Sequence, residues 1–198
     1  MLAVIIALTA PALAADPLVN LREAVPGVVL DIRYATPRNF VGKAVYPVAA
    51  AFLRRSAAAK LARAAEALRL HGRRLVVYDA YRPLSVQRLM WAAKPDRRFV
   101  ADPSRRASVH NRGGAVDVGL ADAAGKPIAM PSDFDEFGPR AAHGAPDAPP
   151  EGAANAGELK AAMEAAGFQS YPEEWWHYQD PAAKDWPLLD VPMQELEK

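Results

Sequence analysis

Helical and strand-like patterns do not alternate regularly along this chain, and that irregular order argues against a wound succession of βαβ units. Val28 to Tyr34 puts Leu30, Ile32 and Tyr34 on one face and Val29, Asp31 and Arg33 on the other, the twofold period of a half-buried strand, closed by Pro37. The run SAAAKLARAAEALRLH, Ser56 to His71, then sets Leu61, Ala65 and Leu68 at helical spacing, with Gly72 available to end the helix. Arg74 to Tyr78 reads as a short strand, and Pro83 opens a second helix reaching about Ala93, since proline costs little in a first turn. Ala115 to Leu120 is a further strand, Gly157 to Ala166 a third helix stopped by Gly167, and Trp175 to Tyr178 a last strand. The Gly/Ala/Pro-rich stretch from Gly144 to Gly157 reads as a surface loop. The pattern predicts a single α+β domain with a mainly antiparallel sheet flanked by helices.

With 198 residues, of which 51% are hydrophobic, the chain can bury a core for one domain but hardly for two. Its 24 basic and 23 acidic residues leave a net charge of +1, so no field of one sign draws it to nucleic acid or an anionic membrane. Met1 to Ala14 carries no charged side chain and ends in Ala12-Leu13-Ala14, which resembles a signal-peptide cleavage site. The expectation is a removed leader (residues 1–14), a mature domain over residues 15–198, and a periplasmic or secreted location. The alternative is a buried N-terminal strand or helix; a membrane span needs about 20 apolar residues and this run is shorter.

There is no cysteine, so no disulfide staples the fold and any metal must be held by histidines and carboxylates. The four histidines are His71, His110, His143 and His177. In SVHNRGGAVDVGL, His110 and Asp117 flank the Gly113-Gly114 pair, and a glycine-rich turn can fold back to bring both side chains to one point; a surface or capping pair is the plainer reading. In EEWWHY, Glu174 and His177 lie three apart, a spacing that strand alternation does not put on one face, so both reach one point only if the strand bends or bulges. Trp175 and Trp176 would desolvate Glu174 and raise its pKa toward the value a general base needs near neutral pH. Two imidazoles, one ligating carboxylate and one spare carboxylate make up the inventory of a metal-dependent hydrolase. In YDAYRP, Arg82 follows a strand and precedes a helix; it can stabilise an oxyanion or hold a carboxylate, or simply pair with Asp79.

Taken in order, DIRYATPRNFVGKAVYP (Asp31 to Pro47), YDAYRP, SVHNRGGAVD and EWWHY resemble the D-alanyl-D-alanine dipeptidases, the VanX-like zinc peptidases. The resemblance implies one Zn2+ per chain bound by His110, Asp117 and His177, Glu174 as general base, Arg82 polarising the scissile carbonyl, and a small dipeptide as substrate. It also implies the small α+β fold shared with D-Ala-D-Ala carboxypeptidases and the hedgehog domain. FDEFGPRAAH, Phe134 to His143, resembles the segment that closes over the substrate ammonium, with Asp135 as the candidate contact; Gly138 and Pro139 stand where the family has acidic residues before the arginine. His143 is expected to organise that loop, and His71 to sit favourably at a helix C-terminus.

Three other readings fit parts of the pattern. A zinc carboxypeptidase or endopeptidase acting on peptidoglycan stems would need an open groove where a dipeptidase needs a closed pocket. A non-haem iron oxygenase also uses two histidines and a carboxylate, but has no need of a glutamate beside the last ligand. A non-catalytic zinc-binding module would need neither Glu174 nor Arg82.

Overall fold

A computed structural model describes residues 16–197; the expected leader lies outside the described residues. The chain forms β1 (Leu18–Asn20), a short helix α1 (Leu21–Ala24), β2 (Val29–Leu30), β3 (Phe52–Arg54), α2 (Arg55–Arg69), β4 (Arg73–Asp79) and α3 (Leu84–Ala93). It continues through β5 (Ala115–Asp122), α4 (Pro150–Ala165), β6 (Gln169–Tyr171) and β7 (Glu174–Gln179). A five-stranded sheet runs β2-β4-β5-β7-β6, antiparallel except where β2 lies parallel to β4, and β1 pairs antiparallel with β3 in a separate ribbon. The α+β expectation with a mainly antiparallel sheet holds.

The central strands are unbroken buried runs because both faces of the sheet are covered. Leu75 to Val77 and Val116 to Ala121 are almost inaccessible. α2 lays Ala57, Ala58, Leu61, Ala64 and Leu68 inward and packs on α4 and β4, small alanines letting the helix approach closely. The start of α2 is held by a residue far back in the sequence. Asp16 accepts the Ser56 N–H (3.0 Å) and the Ser56 hydroxyl (2.6 Å), taking over an orphan donor of the first turn.

Two expected elements change their limits. Only Val29 and Leu30 of the anticipated Val28–Tyr34 strand pair with a neighbour; after Asp31 N–H bonds Val77 O at 3.0 Å the chain turns into a 3-10 segment, Arg33–Ala35. Asp31 is drawn off by Arg33 (2.7 Å) and Arg38 (2.8 Å), a local cluster that closes the bend, while Ile32 and Tyr34 still enter the core. The third helix starts at Pro150, seven residues before the expected Gly157, and consumes half of the anticipated surface loop. A tertiary contact overrides the weak local propensity there. A Cβ on Gly152 would lie 2.6 Å from the Met130 backbone, and Asn155 donates to Ala129 O at 2.8 Å, so glycine and asparagine serve close packing instead of breaking the helix.

Replacing Asp16 by alanine removes a helix cap without touching the sheet. Stability is expected to fall by about 1 kcal/mol, with the unfolding slope unchanged, in urea denaturation of wild type and variant.

Candidate metal centre

Three neighbouring strands deliver acidic and imidazole groups to one level. Asp117 on β5 lies opposite Asp79 on β4 and opposite His177 on β7. The fourth group, His110, comes from a 3-10 turn, Val109–Arg112, whose first N–H groups are met by Ser108. That turn ends at Gly113 in the left-handed region (φ 69°), and Gly114 then passes so close to Ala183 and Trp186 that a Cβ would sit 2.2 Å and 2.9 Å from them. The glycine pair thus does fold the chain back, leading His110 directly into the strand that carries Asp117.

His110 Nε2, His177 Nδ1 and Asp117 Oδ1 form a tight triangle with sides of 3.2, 3.0 and 3.4 Å. Ligand atoms about 2.0–2.1 Å from one tetrahedrally held ion stand roughly 3.3 Å apart, so this donor set fits such an ion. The tautomer of His110 is fixed by its other nitrogen. Nδ1–H donates to Ala80 O at 2.7 Å, which leaves the Nε2 lone pair facing the triangle. Burial pushes Asp117 up, but His110 and His177 outweigh it and hold the carboxyl well below its ordinary range, so it stays an anionic donor.

Behind the triangle, Asp79 is wholly buried and accepts from Tyr46 Oη (2.6 Å), the Ala80 N–H (2.8 Å), and Arg82 Nε (3.1 Å) and Nη2 (2.6 Å). Arg82 also donates from Nη1 to Gln87 Oε1 at 2.8 Å. Arg82 is therefore the ion-pair partner of Asp79, and it also lines the cavity containing the triangle.

The spacing problem of Glu174 and His177 is solved by an irregularity. Pairing of β6 with β7 jumps from Ser170↔Tyr178 to Tyr171↔Glu174, so the intervening residues bulge, and Glu174 Oε2 comes 4.0 Å from His177 Nδ1. Burial raises the Glu174 pKa to about 7, with His177 opposing and Asp117 adding to the rise. Asp135 enters the same cavity from a loop where it adopts φ 62°, rare for a side-chain-bearing residue. Its Oδ1 accepts Tyr34 Oη at 3.2 Å, its Oδ2 is buried without a partner among the described residues, and burial together with Asp117 raises its pKa to about 7. The cavity has a volume of about 510 Å³, and the part of it that gathers Asp117, Asp135 and Glu174 near the Asp79-paired Arg82 has the electrostatics of a site for positive charge.

All six residues singled out in the sequence line this cavity. His71 is exposed beyond the end of α2, and His143 stands away from the triangle with its ring against Tyr178 and its N–H on Pro172 O (3.0 Å). Sequence reasoning missed Tyr34 and Gln87. Tyr34 meets Asp135 across 101 residues, a distance at which no local pattern speaks; Gln87 sits one helical turn beyond Pro83 on the face toward Arg82, which helical spacing did offer.

A family model of M15 peptidases described as D-ala-D-ala dipeptidase matches residues 14–197. The D-alanyl-D-alanine dipeptidase of Escherichia coli (strain K12) is 38% identical, covering 87% of this chain and 89% of that protein. The protein of the same name from Enterococcus faecium is 33% identical, covering 80% and 88% respectively. A solved LdcB LD-carboxypeptidase is 21% identical with a TM-score of 0.45, covering 67% of this chain and 62% of that one.

Gly114→Ala forces a methyl group into Ala183 and Trp186. A loss of about 1–3 kcal/mol in stability is expected, together with weaker metal retention because the return from His110 to Asp117 is strained, as read by denaturation and by metal analysis of the dialysed variant.

Proposed function

Because this chain belongs to the M15 D-Ala-D-Ala dipeptidase family of metal-dependent peptidases, we propose that it hydrolyses the free dipeptide D-alanyl-D-alanine to two molecules of D-alanine. The observation that carries this reading is the ligand triangle with Glu174 beside it and the unpartnered Asp135 oxygen in the same cavity. We assign the metal as zinc, held by His110, Asp117 and His177. When bound, zinc supplies an acidified water and polarises the scissile carbonyl.

The chain's own groups divide the remaining work. Glu174 takes the proton of the attacking water and delivers it to the leaving amine, a task suited to a carboxylate whose pKa burial has raised to about 7. Arg82 donates to the oxygen on which negative charge develops. Its pairing with Asp79 and Gln87 holds the guanidinium in place before reaction, so little reorganisation is needed. Asp135, with Tyr34 as its donor, accepts the substrate ammonium. The loop bearing Asp135 is pinned by Phe134, stacked on Tyr78 at 4.9 Å, and Phe137, stacked on Phe99 at 4.5 Å. A pinned loop that sets Asp135 and Phe137 in the cavity wall supports a dipeptidase over an enzyme that threads a peptidoglycan stem through an open groove. We further propose a periplasmic or secreted location, on the pattern of Met1 to Ala14 alone.

Purified zinc-loaded protein is expected to cleave D-Ala-D-Ala and to spare a pentapeptide ending in D-Ala-D-Ala; comparable D-alanine release from the pentapeptide would reassign it as a carboxypeptidase. Glu174→Ala is expected to keep its metal and lose turnover, whereas His110→Ala loses both, as metal analysis alongside kinetics will reveal. For Arg82, lysine is the informative change, because alanine would also strand the buried Asp79 charge and cost about 3–5 kcal/mol of stability. Arg82→Lys is expected to lower kcat by about 10²-fold with little change in KM; a raised KM at constant kcat would make Arg82 a substrate clamp instead.

A further inference from the structure

The cavity holding the ligand triangle is larger than a dipeptide of two alanines requires. Its volume of about 510 Å³ falls in the range that drug-sized ligands occupy, roughly 300–1,000 Å³, whereas D-Ala-D-Ala has only about eleven non-hydrogen atoms. The additional wall is the segment following α3. Between Lys94 and Arg106 the chain carries five basic and two acidic side chains, and Arg97, Arg98, Arg105 and Arg106 all line the cavity. Their neutralisation is incomplete. Arg98 is spent on Asp96 (2.6 Å) and Arg97 on Asp102 (3.0 Å), but Arg105 reaches Asp102 only at 3.9 Å, and Arg106 has no ion pair among the described residues.

This wall is tied to the catalytic groups. Gln87, which accepts from Arg82, donates through Nε2 to Ala101 O at 2.8 Å, and Phe99 stacks on the Phe137 that pins the Asp135 loop. Asp102 further holds the turn by accepting the Ser104 N–H (3.0 Å) and hydroxyl (2.6 Å). The cavity is therefore polarised, with carboxylates at Asp117, Asp135 and Glu174 and a cationic wall at Arg105 and Arg106. The two sides offer opposite charge to the two ends of a zwitterionic dipeptide.

We propose that Arg105 and Arg106 form an anion subsite for the side chain of the substrate's second residue, so that the enzyme also accepts, and favours over neutral isosteres, D,D-dipeptides ending in an acidic residue. D-Ala-D-Glu is the representative substrate; water adds across its amide to give D-alanine and D-glutamate. This inference rests on the dipeptidase reading of the site.

D-Ala-D-Gln has the shape of D-Ala-D-Glu without the charge, so the ratio of their kcat/KM isolates the subsite from cavity size. At low salt the zinc-loaded wild type is expected to favour D-Ala-D-Glu by about fivefold to tenfold, the preference shrinking toward unity at high ionic strength. The double variant Arg105→Ser, Arg106→Ser is expected to bring the ratio to about one; both positions are exposed, so the fold tolerates the change. Calorimetric titration of both dipeptides into zinc-loaded Glu174→Gln protein measures the same preference without turnover. Equal handling of the two dipeptides by wild type, a preference that survives the double variant, or turnover of D-Ala-D-Ala with neither larger dipeptide accepted, would each overturn the subsite. Failure of wild type to cleave D-Ala-D-Ala while the calorimetric preference persists would overturn the dipeptidase reading and leave the subsite standing.

Discussion

The fully buried carboxylate of Asp79 is the interaction on which the rest of the site depends. Four donors converge on it, from the Tyr46 hydroxyl, the Ala80 N–H and two nitrogens of Arg82. A charge so placed is tolerable only while its partners stay put, and each partner has a second duty. Tyr46 ties the long segment after β2 to the end of β4, Ala80 presents the carbonyl that orients His110, and Arg82 faces the cavity. Asp79 also lies beside Asp117 in the sheet, where two like charges would repel if Arg82 did not neutralise one of them. The ion pair thus lets a second carboxylate stand on the next strand, where it is available as a metal donor.

The carboxylates in the cavity differ in charge state because their neighbours differ. Asp117 remains anionic because two imidazoles face it, while Glu174 and Asp135, lacking comparable partners, are pushed by burial to about 7. Three carboxylates in one pocket are costly without a cation. A divalent ion and a ligand ammonium would supply positive charge to them, so relief of the repulsion among the carboxylates would add to the affinity for both. The two groups near 7 differ in position: Glu174 lies close to His177, and Asp135 bonds Tyr34 from a loop.

Aromatic packing keeps this charged pocket in shape. Phe134 meets Tyr34, Tyr78 and Trp176, and Phe137 meets Phe40, Phe99 and Trp176, so a loop with one strained residue is bracketed by rings on both sides. The left-handed backbone of Asp135 persists because its neighbours on either side are anchored. The same rings link the loop to the arginine-bearing wall, placing two sides of the cavity under one rigid frame.

By itself the sequence determined the chemistry on offer. No cysteine restricts metal donors to histidine and carboxylate, Gly113-Gly114 marks a sharp return, and the paired tryptophans announce desolvation around Glu174; these are local properties that spacing and side-chain type express directly. The main helix α2 was equally legible because its burial repeats at the helical period, and strands β4 and β5 because they are short, mostly apolar runs, covered on both faces. Tertiary structure alone decided what no local period encodes: that Asp79, Asp117 and His177 share one level across three strands, that a bulge turns Glu174 toward His177, and that Tyr34 meets Asp135. It also lengthened α4 to Pro150, where contact with the Met130 backbone outweighs the poor helix propensity of Gly152. Register and long-range packing depend on partners far away in the chain, and the free energy that fixes them appears only once those partners are assembled.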